Sequence, residues 1–283
     1  MEKWGDKPYH SLDYENKKRF GEKVYKISLA GGTTCPNRDG TLGTRGCCFC
    51  SGSGSGDFAA TKGSITEQIE EAIARVSRYK NAGHHFTAYF QSFTATYAPV
   101  ETLRAAWEEA MTHESVVTLA IATRPDCLGD DVLSLLVDCC RKMPVTVELG
   151  LQTIHPDTIR YIRRGYPNSV YETAVKNLQN IGVNVVTHVI AGLPGETKEN
   201  FLDTVRYVAD IGSDGIKLQL LHVLKGTDLA LDYESKMFRT LTPDEYLDYI
   251  AEALSILPPD MVIHRVTGDG PKDLLIAPLW SAN

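Results

Sequence analysis

No apolar run in this chain of 283 residues approaches the roughly twenty residues that cross a bilayer, so no membrane-spanning helix is expected. The opening segment MEKWGDKPYHSLDYENKKRF carries neither the apolar stretch of a targeting peptide nor a low-complexity tail, which makes a cytoplasmic protein the expectation. An excess of positive charge is also missing. Lys and Arg number 29 against 36 Asp and Glu, a net charge of −7, which argues against a generic nucleic-acid coat protein while leaving room for a local basic patch. Lys17, Lys18, Arg19 and Lys23 form one such patch, and taken alone it reads as a solvated helix face. A further absence concerns cysteine: Cys47 and Cys50 have no second Cys-x-x-Cys pair at the distance a structural zinc site uses. Apolar content of 43% and charged content of 23% are those of an ordinary globule, long enough to bury a large core in one or two domains.

From residue 24 onward, short β-branched runs alternate with longer segments of helical period, the pattern of a parallel sheet built from βα units. The runs predict six strands, at Val24–Ala30, Phe86–Phe90, Val116–Ala122, Val145–Leu151, Val183–Ile190 and Gly215–Leu221. Ser64 and Glu67 form a capping box ahead of Ile65, Ile69, Ile73 and Val76 on one helix face. Further helices are expected near 100–112, 130–142, 169–181 and 198–211, the last two stopped by Gly182 and Gly212. Segments 229–236 and 243–256 read as helical, and the chain ends within the apolar stretch Leu274–Asn283, where a missing C-terminal piece is expected. The division is then 1–23 as a basic N-terminal extension, 24–228 as a partial (β/α)6 barrel and 229–283 as a helical C-terminal extension.

Alternation within the strands carries functional information. Thr146, Glu148, Gly150 and Gln152 alternate with Val145, Val147, Leu149 and Leu151, and the same split places Lys26, Ser28, Thr87, Tyr89, Gln91, Asn184, His188, Lys217 and Gln219 on one polar face. Helices cover the outside of an α/β barrel, so the apolar face points outward and the polar face lines the lumen. Six strands leave such a barrel open on one side, and a hydrophilic lumen suits a polar cofactor and substrate.

The loops after the strands then carry the chemistry. The loop after strand one reads CPNRDGTLGTRGCCFC and brings Cys35, Cys47 and Cys50 together among Gly40, Gly43 and Gly46. Three thiolates are enough for an iron–sulfur cluster with one iron left open. Zinc ranks below this reading, and a disulfide below both, because seven cysteines in a chain without a secretory leader indicate a reducing compartment. Other loops at this end are QSFTATY from Gln91, TRPD from Thr123, the segment 152–165, GLPGE from Gly192 and HVLKGTD from His222.

With these motifs in this order, the chain resembles radical S-adenosylmethionine (radical SAM) enzymes, most closely the bacterial YhcC/YtqA-like group and more distantly the catalytic subunit of Elongator. The resemblance covers nearly the whole chain. It implies a [4Fe–4S] cluster on Cys35, Cys47 and Cys50, with Cys48 left unligated. It also implies S-adenosylmethionine (SAM) on the open iron, cleaved reductively to methionine and a 5′-deoxyadenosyl radical that takes hydrogen from substrate. Phe49 would lie against the adenine, Gln152 would meet the ribose, and Arg164 would meet the carboxylate with Arg163 as its rival. His188 and the loop residues Gly192 and Leu193 complete the implied cofactor contacts. Tyr89, Lys217 and Cys127 are the candidates to face substrate. The resemblance further implies an external electron donor such as flavodoxin or ferredoxin, and a tRNA substrate modified at the wobble uridine. The alternatives are a small metabolite or peptide substrate, or a noncatalytic iron–sulfur protein.

Overall fold

The computed structural model describes residues 4–54, 56–268 and 270–282. Helix α1 (Leu12–Phe20) precedes strand β1 (Tyr25–Leu29), and then helices and strands alternate: α2 (Ile65–Tyr79), β2 (Phe86–Phe90), α3 (Val100–Thr112), β3 (Val116–Thr123), α4 (Asp130–Cys140) and β4 (Val145–Gln152). Helices α5 (Pro156–Tyr161) and α6 (Asn168–Asn180) lead to β5 (Asn184–Ala191), α7 (Lys198–Ile211) and β6 (Gly215–Leu220). The remainder holds β7 (Val223–Leu224), α8 (Asp228–Glu234), α9 (Pro243–Ile256), β8 (Val262–Arg265) and β9 (Leu275–Ala277). Seven strands form one parallel sheet in the order β1-β2-β3-β4-β5-β6-β8, a curled half-barrel whose edges are β1 and β8. All six expected strands are present, within two residues at either end, and β8 adds a seventh from the region read as a helical extension.

Register keeps the two faces separate. Ile27, Ala88, Leu119 and Val145 are successive cross-strand partners, and all are buried beneath the helices. Against them pack Ile65, Ile69 and Ala72 of α2, Leu103 and Trp107 of α3, Leu135 and Leu136 of α4, and Phe201 and Val205 of α7. These residues recur at helical spacing, so one face of each helix removes itself from water against the sheet. The α2 capping box forms as expected: Glu67 N–H donates to Ser64 Oγ at 3.2 Å, and Ser64 N–H donates to Glu67 Oε2 at 2.7 Å. Buried Gln68 on the same helix accepts the Ala30 N–H at 2.9 Å, fixing the chain where it leaves β1 for the thiol-bearing loop.

The N-terminal segment is tied to the opposite edge of the sheet. Ile263 N–H on β8 donates to the His10 carbonyl at 2.7 Å, and the Trp4 ring stacks on His10 at 4.0 Å. Lys17, Lys18, Arg19 and Lys23 are exposed ahead of β1, at the amino ends of the strands. No helix among the described residues is long and apolar enough to cross a membrane.

Trp107 is among the largest fully buried side chains. Trp107→Ala should cost about 3–5 kcal/mol of unfolding free energy, read as a lower urea midpoint with little change in the denaturant slope.

Candidate active site

At the carboxyl ends of the strands, Cys35, Cys47 and Cys50 open onto a single cavity together with Phe49 and Gln152. The loop that carries the thiols is folded on its own backbone. Arg38 and Asp39 N–H groups donate to the Cys35 carbonyl at 2.8 and 3.2 Å, and Gly46 N–H donates to the Asn37 carbonyl at 2.7 Å. Gly46 sits at φ +71, in the left-handed region that glycine enters without steric cost. A clamp holds the loop from outside: Arg163 Nε donates to the Gly46 carbonyl at 2.8 Å, and Asp228 at the start of α8 accepts from Arg163 at 2.5 Å and from Arg45 at 2.7 Å.

The cysteines divide by environment. A hydrogen bond from Cys50, helped by the nearby Arg124, Asn37 and Arg163, pulls the Cys47 thiol down to about 7 despite its burial. Cys48 instead packs with Ile162, Leu193 and Leu229, where burial pushes its thiol up to about 12. Cys35, Cys47 and Cys50 line the cavity, whereas Cys48 is turned into the apolar cluster. Among the described residues no cysteine forms a disulfide, and no three His, Cys, Asp or Glu side chains converge on the position of a single metal ion.

Beneath the thiols lies a polar floor centred on Glu148, which is 1% exposed. Its carboxylate accepts from Lys26 and Lys217, from the Tyr89 hydroxyl at 2.6 Å and from His188 Nε2 at 2.8 Å. Burial alone would raise the carboxyl pKa, but Lys217 and Lys26 hold it well below the usual range. Burial pulls the Lys217 ammonium down to about 7 even with Glu148 beside it. Burial and the charge of Lys217 lower His188 to about 4, so its imidazole is neutral near pH 7. An ionised carboxylate can only accept, so Nε2 carries the His188 proton and Nδ1 is left as an acceptor.

The expected SAM residues separate on inspection. Phe49, Gln152 and His188 line the cavity. Gln152 has φ +63 at a register shift between β4 and β5, and a Cβ on Gly150 would come within 2.5 Å of its side chain. With the amide turned so that Nε2 donates to the carbonyls of Gly150 at 3.3 Å and Leu151 at 2.9 Å, Gln152 Oε1 remains an acceptor. Arg164 is held by its neighbours. It reaches the cavity wall, but its N–H groups donate to the carbonyls of Leu151, Thr153 and Tyr166 and to the Asn168 side chain, so all five donors are engaged and none is left for a carboxylate. Gly192 and Leu193 are not among the cavity-lining residues, and Leu193 is buried in the apolar cluster around Cys48.

Of the residues expected to face substrate, only Tyr89 lines the cavity. Lys217 lies below it, 3.2 Å from the Tyr89 hydroxyl, and Cys127 lies outside with its thiol 3.8 Å from Asp126. Sequence reasoning missed Glu148 as the hub, although its place on the polar face of β4 was a usable signal. It also missed Asn37, which is 5% exposed and donates to Cys47 Sγ at 3.6 Å.

A parallel half-barrel whose first loop offers three thiols above a polar lumen defines a cofactor-dependent α/β barrel of the kind built to hold a metal cluster. The chain belongs to the radical SAM superfamily, whose sequence profile matches residues 20–208, and the Radical_SAM C-terminal domain matches residues 213–283. The Bacillus subtilis protein YtqA is 43% identical over 284 residues, covering 98% of this chain and 86% of that protein. The Escherichia coli protein YhcC is 38% identical, covering 94% and 85%. Elongator complex protein 3 of Schizosaccharomyces pombe is 25% identical, covering 84% of this chain and 50% of that protein. Among solved structures, an archaeal Methanocaldococcus infernus Elp3 with an N-terminal deletion shares the fold with a TM-score of 0.67 at 19% identity, over 89% of this chain and 58% of that one. Family membership implies a [4Fe–4S] cluster and SAM, and the donor set fits: three thiols on one cavity, one of them inclined to ionise, with Cys48 withdrawn.

Because His188 is lowered from 6.5 to about 4, the unfolded chain binds more protons between these values, and stability falls as pH drops through the window. His188→Gln should remove roughly 3 kcal/mol of that pH dependence, measured as the difference between parent and variant in urea unfolding at pH 6.5 and pH 4.

Proposed function

We propose that this protein is a radical SAM enzyme that cleaves SAM reductively at a [4Fe–4S] cluster held by Cys35, Cys47 and Cys50, and that its substrate is a tRNA modified at the wobble uridine. The observation that carries the first part is the convergence of these three thiols on one cavity while Cys48 turns away. Cys35, Cys47 and Cys50 would hold the cluster, which with SAM would supply the radical chemistry for taking a hydrogen from substrate. The chain does the rest. Phe49 would offer a flat face to the adenine, and Gln152 Oε1 would accept from a ribose hydroxyl. Glu148 fixes the orientation of Tyr89 and His188, so that a phenol and a neutral imidazole face the reacting groups in a fixed arrangement. Electrons come from an external one-electron donor of the flavodoxin or ferredoxin type.

The tRNA assignment is supported by the likeness to Elongator and by the basic segment of an otherwise acidic chain. Lys17, Lys18, Arg19 and Lys23 are exposed ahead of β1, whereas the cavity opens at the carboxyl ends of the strands. In this reading they hold phosphates away from the reacting base, while an unstacked anticodon nucleotide enters the lumen.

Anaerobically reconstituted protein should carry about four irons per chain and release 5′-deoxyadenosine from SAM on reduction. Alanine at Cys35, Cys47 or Cys50 should abolish both, and Cys48→Ala should keep both; a full cluster in Cys35→Ala would defeat the assignment. For the substrate, replacing Lys17, Lys18, Arg19 and Lys23 by glutamine should flatten the salt dependence of tRNA binding, because each lost phosphate contact removes counterion release. Mass spectrometry of tRNA nucleosides from deletion and parent strains decides the class: an unchanged wobble uridine removes tRNA and leaves a small metabolite or peptide.

A further inference from the structure

Asn37 has no part in the reading above, yet it is the buried polar side chain closest in role to the thiols. It sits in the turn CPNR, 5% exposed, and both hydrogens of its amide are engaged. One goes to the Arg163 carbonyl at 2.7 Å and the other to Cys47 Sγ at 3.6 Å. Its backbone carbonyl accepts the Gly46 N–H at 2.7 Å, so the residue spans the loop just ahead of Cys47.

The bond to sulfur is held from the other side of the site. Arg163 ends α5 in the left-handed conformation, φ +56, with the Arg164 N–H reaching back to the Ile159 carbonyl at 3.2 Å, and its own carbonyl accepts from Asn37. Its guanidinium is fixed by the Gly46 carbonyl and Asp228. The clamp that fixes Arg163 therefore also fixes the carbonyl that holds the Asn37 amide, whose second hydrogen points at the sulfur.

We propose that Asn37 is a positioning residue that sets the electron affinity of the cluster, donating an N–H to the Cys47 sulfur while Arg163 and Asp228 keep it aimed. This rests on the cluster assignment proposed above. Reduction adds one electron from the external donor and breaks no bond to the protein. A hydrogen-bond donor on a ligand sulfur favours the more negative, reduced state, so it raises the reduction potential.

The test is an anaerobic redox titration of reconstituted protein, followed by the electron paramagnetic resonance signal of the reduced cluster, without substrate and without turnover. Asn37→Ala and Asn37→Leu should both keep about four irons per chain and shift the potential negative. At the parent's midpoint potential, the ratio of reduced to oxidised cluster should fall about fivefold, the scale of one ordinary hydrogen bond. Cys48→Ala should leave the potential where it is. Unchanged potentials in both Asn37 variants overturn the inference while leaving the cluster assignment intact. Loss of the cluster from both, with Cys48→Ala still loaded, makes Asn37 a scaffold residue and also overturns it. A parent that takes up no cluster overturns the functional reading itself, and the inference with it.

Discussion

A carboxylate with almost no access to water has to be neutralised where it stands, and Glu148 meets that requirement by drawing four strands to one point. Lys26 comes from β1, Tyr89 from β2, His188 from β5 and Lys217 from β6. An unpaired buried charge is far more costly than the net value of a good ion pair, so any strand that slipped by one residue would leave Glu148 or one of the lysines stranded. The polar hub therefore acts as a register lock from inside the half-barrel, complementing the apolar layer of Ile27, Ala88, Leu119 and Val145 on the outside. It also settles the chemistry of the lumen, because groups bonded to a fixed carboxylate present fixed faces to whatever binds above them.

The mouth follows a different logic. There the chain has little regular structure, and order comes from backbone hydrogen bonds and a few long-range clamps. Asp228 ties α8 to the thiol loop through Arg45 and Arg163, and the Leu229 N–H donates to the Cys48 carbonyl at 3.0 Å. The region matched by the C-terminal family domain is in this way built into the loop that carries the thiols. The site is accordingly shared between the two family segments.

Much of this was legible in the sequence because periodicity is local. Two-residue alternation assigned a polar face to five of the six expected strands, and Lys26, Tyr89, His188 and Lys217 from four of those faces meet at Glu148 on the fifth. β8 escaped notice because four residues, Val262–Arg265, are too few to display a period. β7 and β9, of two and three residues, escaped for the same reason. The cysteine loop was legible as well, since Cys35, Cys47 and Cys50, picked out by residue type, line one cavity. Arg164 was not. The family resemblance implied a carboxylate contact for it, but its partners are mostly backbone carbonyls, which any sequence would offer and none reveals. The Glu148 hub was half visible: parity placed it on the inner face, whereas its partners lie 122, 59, 40 and 69 residues away and no local signal links them.

The hydrogen bond from Ile263 to the His10 carbonyl joins nearly the first described residues to one of the last strands. During synthesis the N-terminal segment leaves the ribosome long before its edge strand exists, so Trp4, His10 and Tyr14 must wait, stacked on one another or captured elsewhere, until β8 emerges. Such a late, long-range closure makes this seam one of the last parts of the sheet to form. Nascent chains stalled before β8 should then hold most of the barrel with the amino-terminal helix still accessible to protease.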